Sequence, residues 1–101
     1  MIKELSNIEI IRLIGIRLRQ YRLNLNVTQR EMSNLSGVSL PTIQKMESGS
    51  AGNINLSNLL KIMRFLGILE NVNQLVPEQP QSPYASRQRN RIRHGNETNE
   101  Y

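Results

Sequence analysis

This chain of 101 residues predicts an all-α fold: a compact domain of five helices followed by a disordered, basic C-terminal tail. Three observations carry that expectation. Apolar residues recur three and four apart through much of residues 8–76, the period of a helix with one buried face. Ser, Thr or Asn precedes several of these runs and Gly follows them, as helix start and stop signals do. From Pro77 onward, prolines break up a Gln- and Ser-rich stretch that cannot bury enough apolar surface to order itself. Residues 1–76 are therefore read as one domain and residues 77–101 as a Pro- then Arg-rich flexible tail.

The first helix is expected at about 8–23, with Ile10, Ile11, Ile14 and Leu18 inward and Arg12, Arg19 and Gln20 outward. The second, at about 29–35, opens on Thr28-Gln29-Arg30-Glu31, a capping box in which Thr28 and Glu31 satisfy each other's backbone N–H. Gly37 supplies the left-handed residue that ends it. Ser39 then caps a third helix at about 40–47, and Pro41 falls in the first turn, where its missing N–H costs no helical bond. Met32 and Leu35 share one face of the second helix; Ile43, Met46 and Glu47 share one face of the third. Opposite them lie Leu40, Pro41, Thr42, Gln44, Lys45 and Ser48. Asn55 is expected to cap a fourth helix carrying Leu56, Leu59, Leu60, Met63 and Leu66, with Gly67 at its end. A fifth spans about 69–76, with Leu69, Val72, Leu75 and Val76 apolar. With no Trp and one Phe the core is nearly all aliphatic; the apolar residues of the last two helices are most simply core, with any surplus of them available as a dimer face.

Composition narrows the function. The net charge is +5 and the pI about 10.2, which favours an anionic partner. Residues 1–76 alone hold nine Lys and Arg against five Glu, a balance of +4. The absence of Cys argues against disulfides and thiolate metal sites. No apolar run approaches the ~20 residues that span a membrane, and the N-terminus lacks a signal-peptide pattern. No nucleophile–base pair, metal cluster or phosphate loop is legible; the Gly49–Asn53 loop lacks the Gly-Lys-Ser/Thr ending of a nucleotide cradle. Glu4 and Glu9 read as a solvated helix start that also suits the helix dipole. His94, the sole histidine, has no companions for metal or catalysis. Neither enzyme activity nor a cofactor is expected.

Residues 28–48 thus form two short helices around a tight turn. An ordinary helical hairpin would carry the same pattern. In a basic chain, however, a helix-turn-helix with its second helix laid in the major groove of DNA is the sharper reading.

Residues 14–66 resemble the lambda-repressor-like (Cro/C1-type, XRE) helix-turn-helix family. The matching residues are Ile14-Gly15, Leu18-Arg19, Arg22, Thr28-Gln29, Glu31, Gly37-Val38-Ser39, Ile43, Glu47 and Gly49, then Leu59-Leu60-Lys61-Ile62 and Leu66-Gly67. The resemblance implies a structural ion pair between Arg22 and Glu47, partly buried. It places Gln29, Arg19 and Ser48 near DNA phosphates, and Leu40, Pro41, Thr42, Gln44 and Lys45 toward bases. Members often carry amides where this chain has Leu40 and Pro41, which can only touch a thymine methyl or sugar. Base readout then rests on Thr42, Lys45 and Gln44, with DNA shape taking a larger share. Asn26 replaces a common glycine and tolerates the left-handed region. A homodimer on a palindromic operator, with half-sites about 34 Å apart, and a bacterial or phage cytoplasmic, nucleoid-associated setting are further implications.

Arg87, Arg89, Arg91 and Arg93 alternate with Gln88, Asn90 and Ile92. Three readings stand: a solubilising tail, an arm on phosphates or in a narrow minor groove, or a segment that docks on a protein partner. Leu75-Val76-Pro77-Glu78, then Ser82-Pro83 and the Arg-rich run, is similar to the ends of HipB-like antitoxins. That resemblance implies a HipA-like kinase toxin as partner and repression of a shared operon. A stand-alone phage-type or chromosomal repressor is the alternative, and a protein-interaction module without DNA binding is a rival class.

Overall fold

The computed structural model describes residues 2–80, which hold helices and turns and no strand. The chain divides into two units between Asn71 and Val72. In the first, a 3-10 turn at Ile2–Glu4 precedes α1 (Asn7–Asn24), α2 (Gln29–Ser36), α3 (Leu40–Ser48) and α4 (Leu56–Leu66), and a second 3-10 turn follows at Leu69–Asn71. The second unit contributes α5 (Val72–Leu75).

Each long helix begins where a side chain replaces the missing backbone acceptor. Thr28 and Glu31 make the expected capping box on α2: Glu31 N–H donates to Thr28 Oγ1 at 3.0 Å and Thr28 N–H to Glu31 Oε1 at 2.8 Å. Asn55 caps α4 through Asn58 N–H at 3.0 Å. A second capping box joins Ser6 and Glu9 at the start of α1. Glu9 is therefore a tied cap residue, not merely a carboxylate at a solvated end. Asn26, with φ of 63°, turns the chain from α1 into α2.

Leu18, Met32, Val38, Ile43, Met46, Ile62 and Leu66 form the core, drawn from all four long helices and the turn between α2 and α3. Ile14, Val27, Ile54, Leu59, Phe65 and Ile68 pack against it. Ile10 and Ile11 are half-buried, and Arg12, Arg19 and Gln20 face out, as the first helix's pattern predicts.

Three expectations are corrected. Leu35 is 70 % exposed, whereas Met32 is fully enclosed. The inner place assigned to Leu35 goes to Val38, 2 % exposed, which folds under as the chain passes Gly37. On α4 the buried residues are Ile62 and Leu66, while Leu56 is 57 % exposed. Apolar residues stand at positions 56, 59, 60, 62, 63, 65 and 66, more than half the helix circumference, so spacing alone did not select the inner stripe. The fifth helix, expected over 69–76, is a 3-10 turn and then one α-helical turn. Leu75 and Val76 are exposed, so they are not core. Residues 77–80 are exposed and irregular; the rest of the expected tail lies outside the described residues.

Candidate nucleic-acid interface

Position 15 sets how closely α3 approaches α1. Gly15 is buried in α1, and a Cβ there would overlap the Met46 carbonyl oxygen and lie 2.9 Å from its carbon. The two helix backbones touch at this point, which only glycine permits. Ile43 and Met46 fill the remaining space beneath α3.

The far end of α3 is tied by charge. Arg22 Nε donates to Glu47 Oε2 at 2.8 Å and Nη2 donates to Oε1 at 2.9 Å, a two-point fork that fixes direction as well as distance. Arg22 Nη1 donates to the Val27 carbonyl at 2.7 Å. Gln29 Nε2 donates to Glu47 Oε1 at 2.9 Å. One carboxylate on α3 thus joins α1, the α1–α2 turn and the first turn of α2. Arg22 and Glu47 are 6 % and 7 % exposed. The hydrogen bond to Glu47, offset in part by burial and aided by its charge, holds the Arg22 guanidinium above its already high usual pKa.

The turn between α2 and α3 has its own fasteners. Gly37 takes φ of 84° and its N–H reaches the Ser33 carbonyl at 3.0 Å. Ser33 Oγ donates to the Val38 carbonyl at 2.7 Å, and Ser36 Oγ accepts from Val38 N–H at 3.2 Å. Two serines thereby satisfy both backbone groups of a buried valine, as buried polar groups require.

With its inner face and its end so held, α3 presents an outer ridge. Pro41, Gln44, Lys45 and Ser48 are exposed at spacings of three and four, opposite Ile43, Met46 and Glu47. Leu40 and Thr42 are half-buried and flank that ridge. The helix is nine residues long with Ser39 as its cap, and its leading turn carries Leu40, Pro41 and Thr42. Ser39 Oγ accepts weakly from Thr42 N–H at 3.4 Å and donates to Thr42 Oγ1 at 2.8 Å.

The residues assigned to phosphate are spread over three elements. Arg19 is exposed on α1. Gln29 is half-buried and gives one amide N–H to Glu47. Ser48 Oγ donates to the Lys45 carbonyl at 3.1 Å and shares a hydrogen with Ser50 Oγ at 2.8 Å. Arg87, Arg89, Arg91 and Arg93 lie outside the described residues. Sequence reasoning missed Gly15, Ser33 and Ser36, and missed the bond from Gln29 to Glu47. Gly15 stood in the resembling motif, but a glycine inside a helical run carries no local sign of what approaches it.

Among the described residues no group of three or more His, Cys, Asp or Glu is placed to hold a metal. Nor is any described helix long and apolar enough to cross a membrane. In comparisons with known proteins, a helix-turn-helix family model matches residues 18–70. No curated protein matches the chain.

Proposed function

Since the chain belongs to the lambda-repressor-like (XRE) helix-turn-helix family and is on that ground a DNA-binding transcription regulator, we propose that it is the repressor-antitoxin of a HipA-like kinase toxin and controls their shared operon as a dimer. The observation that carries DNA reading is the exposed ridge of Pro41, Gln44, Lys45 and Ser48 on a helix whose other face is buried and ion-paired. Such a helix enters the major groove with its leading residues at base edges.

In this reading Leu40, Pro41, Thr42, Gln44 and Lys45 face bases. Lys45 offers donors to guanine, while Leu40 and Pro41 suit a thymine methyl. Arg19, the start of α2 at Gln29, and Ser48 face phosphates. Two copies read half-sites about 34 Å apart on a palindrome. Support for a protein partner comes from the segment after α4: Leu75 and Val76 are exposed immediately before Pro77-Glu78 and the Arg-rich run. The setting we propose is the bacterial or phage cytoplasm, with the protein on the nucleoid.

The test is capture of the full chain from its native cell, with bound DNA sequenced and bound proteins identified in one sample. A palindrome upstream of its own gene together with a kinase-like protein is the expected result. The palindrome without a partner would overturn the antitoxin role and leave a stand-alone repressor. A protein partner with no preferred DNA would overturn DNA reading itself.

A further inference from the structure

Two hydroxyls at the leading end of α3 are arranged in a fixed sense. Ser39 Oγ accepts from Thr42 N–H at 3.4 Å as the helix cap. Its own proton goes to Thr42 Oγ1, 2.8 Å away. A hydroxyl has one proton and two lone pairs; Ser39 occupies one lone pair of Thr42 and, by polarising its O–H, makes the Thr42 proton the stronger bond it has to offer. The Thr42 proton finds no acceptor among the described residues. The Val38 carbonyl one turn back, the usual partner of a helical threonine, accepts from Ser33 Oγ at 2.7 Å, while Thr42 Oγ1 is turned to Ser39 instead.

We propose that Ser39 is a positioning residue that sets the hydrogen-bond polarity of Thr42, so that Thr42 acts as a donor and selects a base with an acceptor edge in the major groove. The proposal rests on the reading of α3 as the DNA-reading helix and adds a base class to it. Guanine offers two acceptors, N7 and O6, thymine offers O4, and adenine offers N7 beside its N6 donor; cytosine alone offers only the N4 donor. With Lys45 donor-only as well, the ridge and its flanks carry donors at Thr42 and Lys45, adaptable groups at Gln44 and Ser48 and apolar contacts at Leu40 and Pro41, and no obligate acceptor. The half-site accordingly disfavours cytosine at the position that Thr42 reads.

Aspartate caps a helix as well as serine does but has no proton to give. Ser39→Asp would therefore draw the Thr42 proton to itself and turn the Thr42 lone pairs outward. The added negative charge weakens binding to every duplex alike, and a comparison between bases cancels it. The experiment is selection of a randomised duplex library by the full chain, run for the wild type, Thr42→Val, Ser39→Asp and Ser39→Gly. Glycine also caps adequately and leaves Thr42 free to donate or accept. Thermal melts establish that each variant is folded.

The wild type is expected to favour guanine or thymine at one position per half-site by about five- to tenfold over cytosine, the worth of one hydrogen bond. Thr42→Val should flatten that position and no other. Ser39→Gly should blunt it, and Ser39→Asp should turn it toward cytosine or adenine. An unchanged preference in the folded Ser39 variants would overturn the proposal while leaving DNA reading intact. So would a Thr42→Val profile identical to the wild type. A wild type that selects no motif would instead overturn the function on which the proposal rests. Should Ser39→Asp fail to fold, the Ser39→Gly profile decides alone.

Discussion

Arg22 and Lys45 show how differently two cations serve one small domain. Arg22 has given all its reach to Glu47 and Val27, and removing it strands a carboxylate that is 7 % exposed. Arg22→Met is expected to cost about 3–5 kcal/mol in urea denaturation, with the double variant Arg22→Met, Glu47→Leu recovering much of it. A loss under about 1 kcal/mol would mean that water reaches Glu47 freely. Because the Arg22 pKa is raised in the fold, its share of stability is complete at every pH below the ordinary guanidinium value and fades only above it. Thermal melts from neutral to alkaline pH should therefore show no step from this group. Lys45 is exposed and free of such duty. Lys45→Ala and Thr42→Ala should leave stability within about 0.5 kcal/mol. Each should weaken binding to the selected operator about tenfold more than binding to random duplex. Equal losses on both DNAs would make these residues phosphate contacts.

At the level of elements, the contact of α1 with α3 is the tightest constraint. Gly15→Ala has no room for its methyl against the Met46 carbonyl, so the helices must part or the backbone must bend. The expected cost is about 3 kcal/mol, read as a lowered urea midpoint. Operator affinity should fall as well, because α3 shifts; a neutral Gly15→Ala would show that the two helices slide past each other. Helix ends were the most legible part of the fold. Thr28, Ser39, Asn55, Gly37 and Gly67 all do what their chemistry dictates. Burial was less legible where local periodicity had to stand in for tertiary position. Leu35 and Leu56 sit at the right spacing yet face out, and Ile62 and Val38 took the inner places. The outer ridge of α3 was readable because helical period alone fixes which residues oppose Ile43 and Met46. The pairing of Ser39 with Thr42 was not, since it depends on hydroxyl directions that no spacing encodes.

For the molecule as a whole, charge decides how it meets DNA. Residues 1–76 carry a balance of +4, and Arg87, Arg89, Arg91 and Arg93 add four cations with no acid in residues 84–94. If all four touch phosphate, replacing them with Gln should reduce the slope of log affinity against log salt by about 3 to 4. Titrations of the full chain and the variant across salt concentrations measure that slope directly. No change would assign the arginines to a protein partner or to solvation. The meeting of α1 and α3 backbones at Gly15 has a consequence for descent as well as for folding. Because α3 is seated by main chain, by Ile43 and Met46 and by Glu47, the address it reads in the proposed function is written on residues that the fold does not need. Lineages carrying this protein are free to drift from one operator to another by single exposed substitutions, each intermediate remaining a folded protein. Two paralogues in one genome can part company in target long before they differ in architecture.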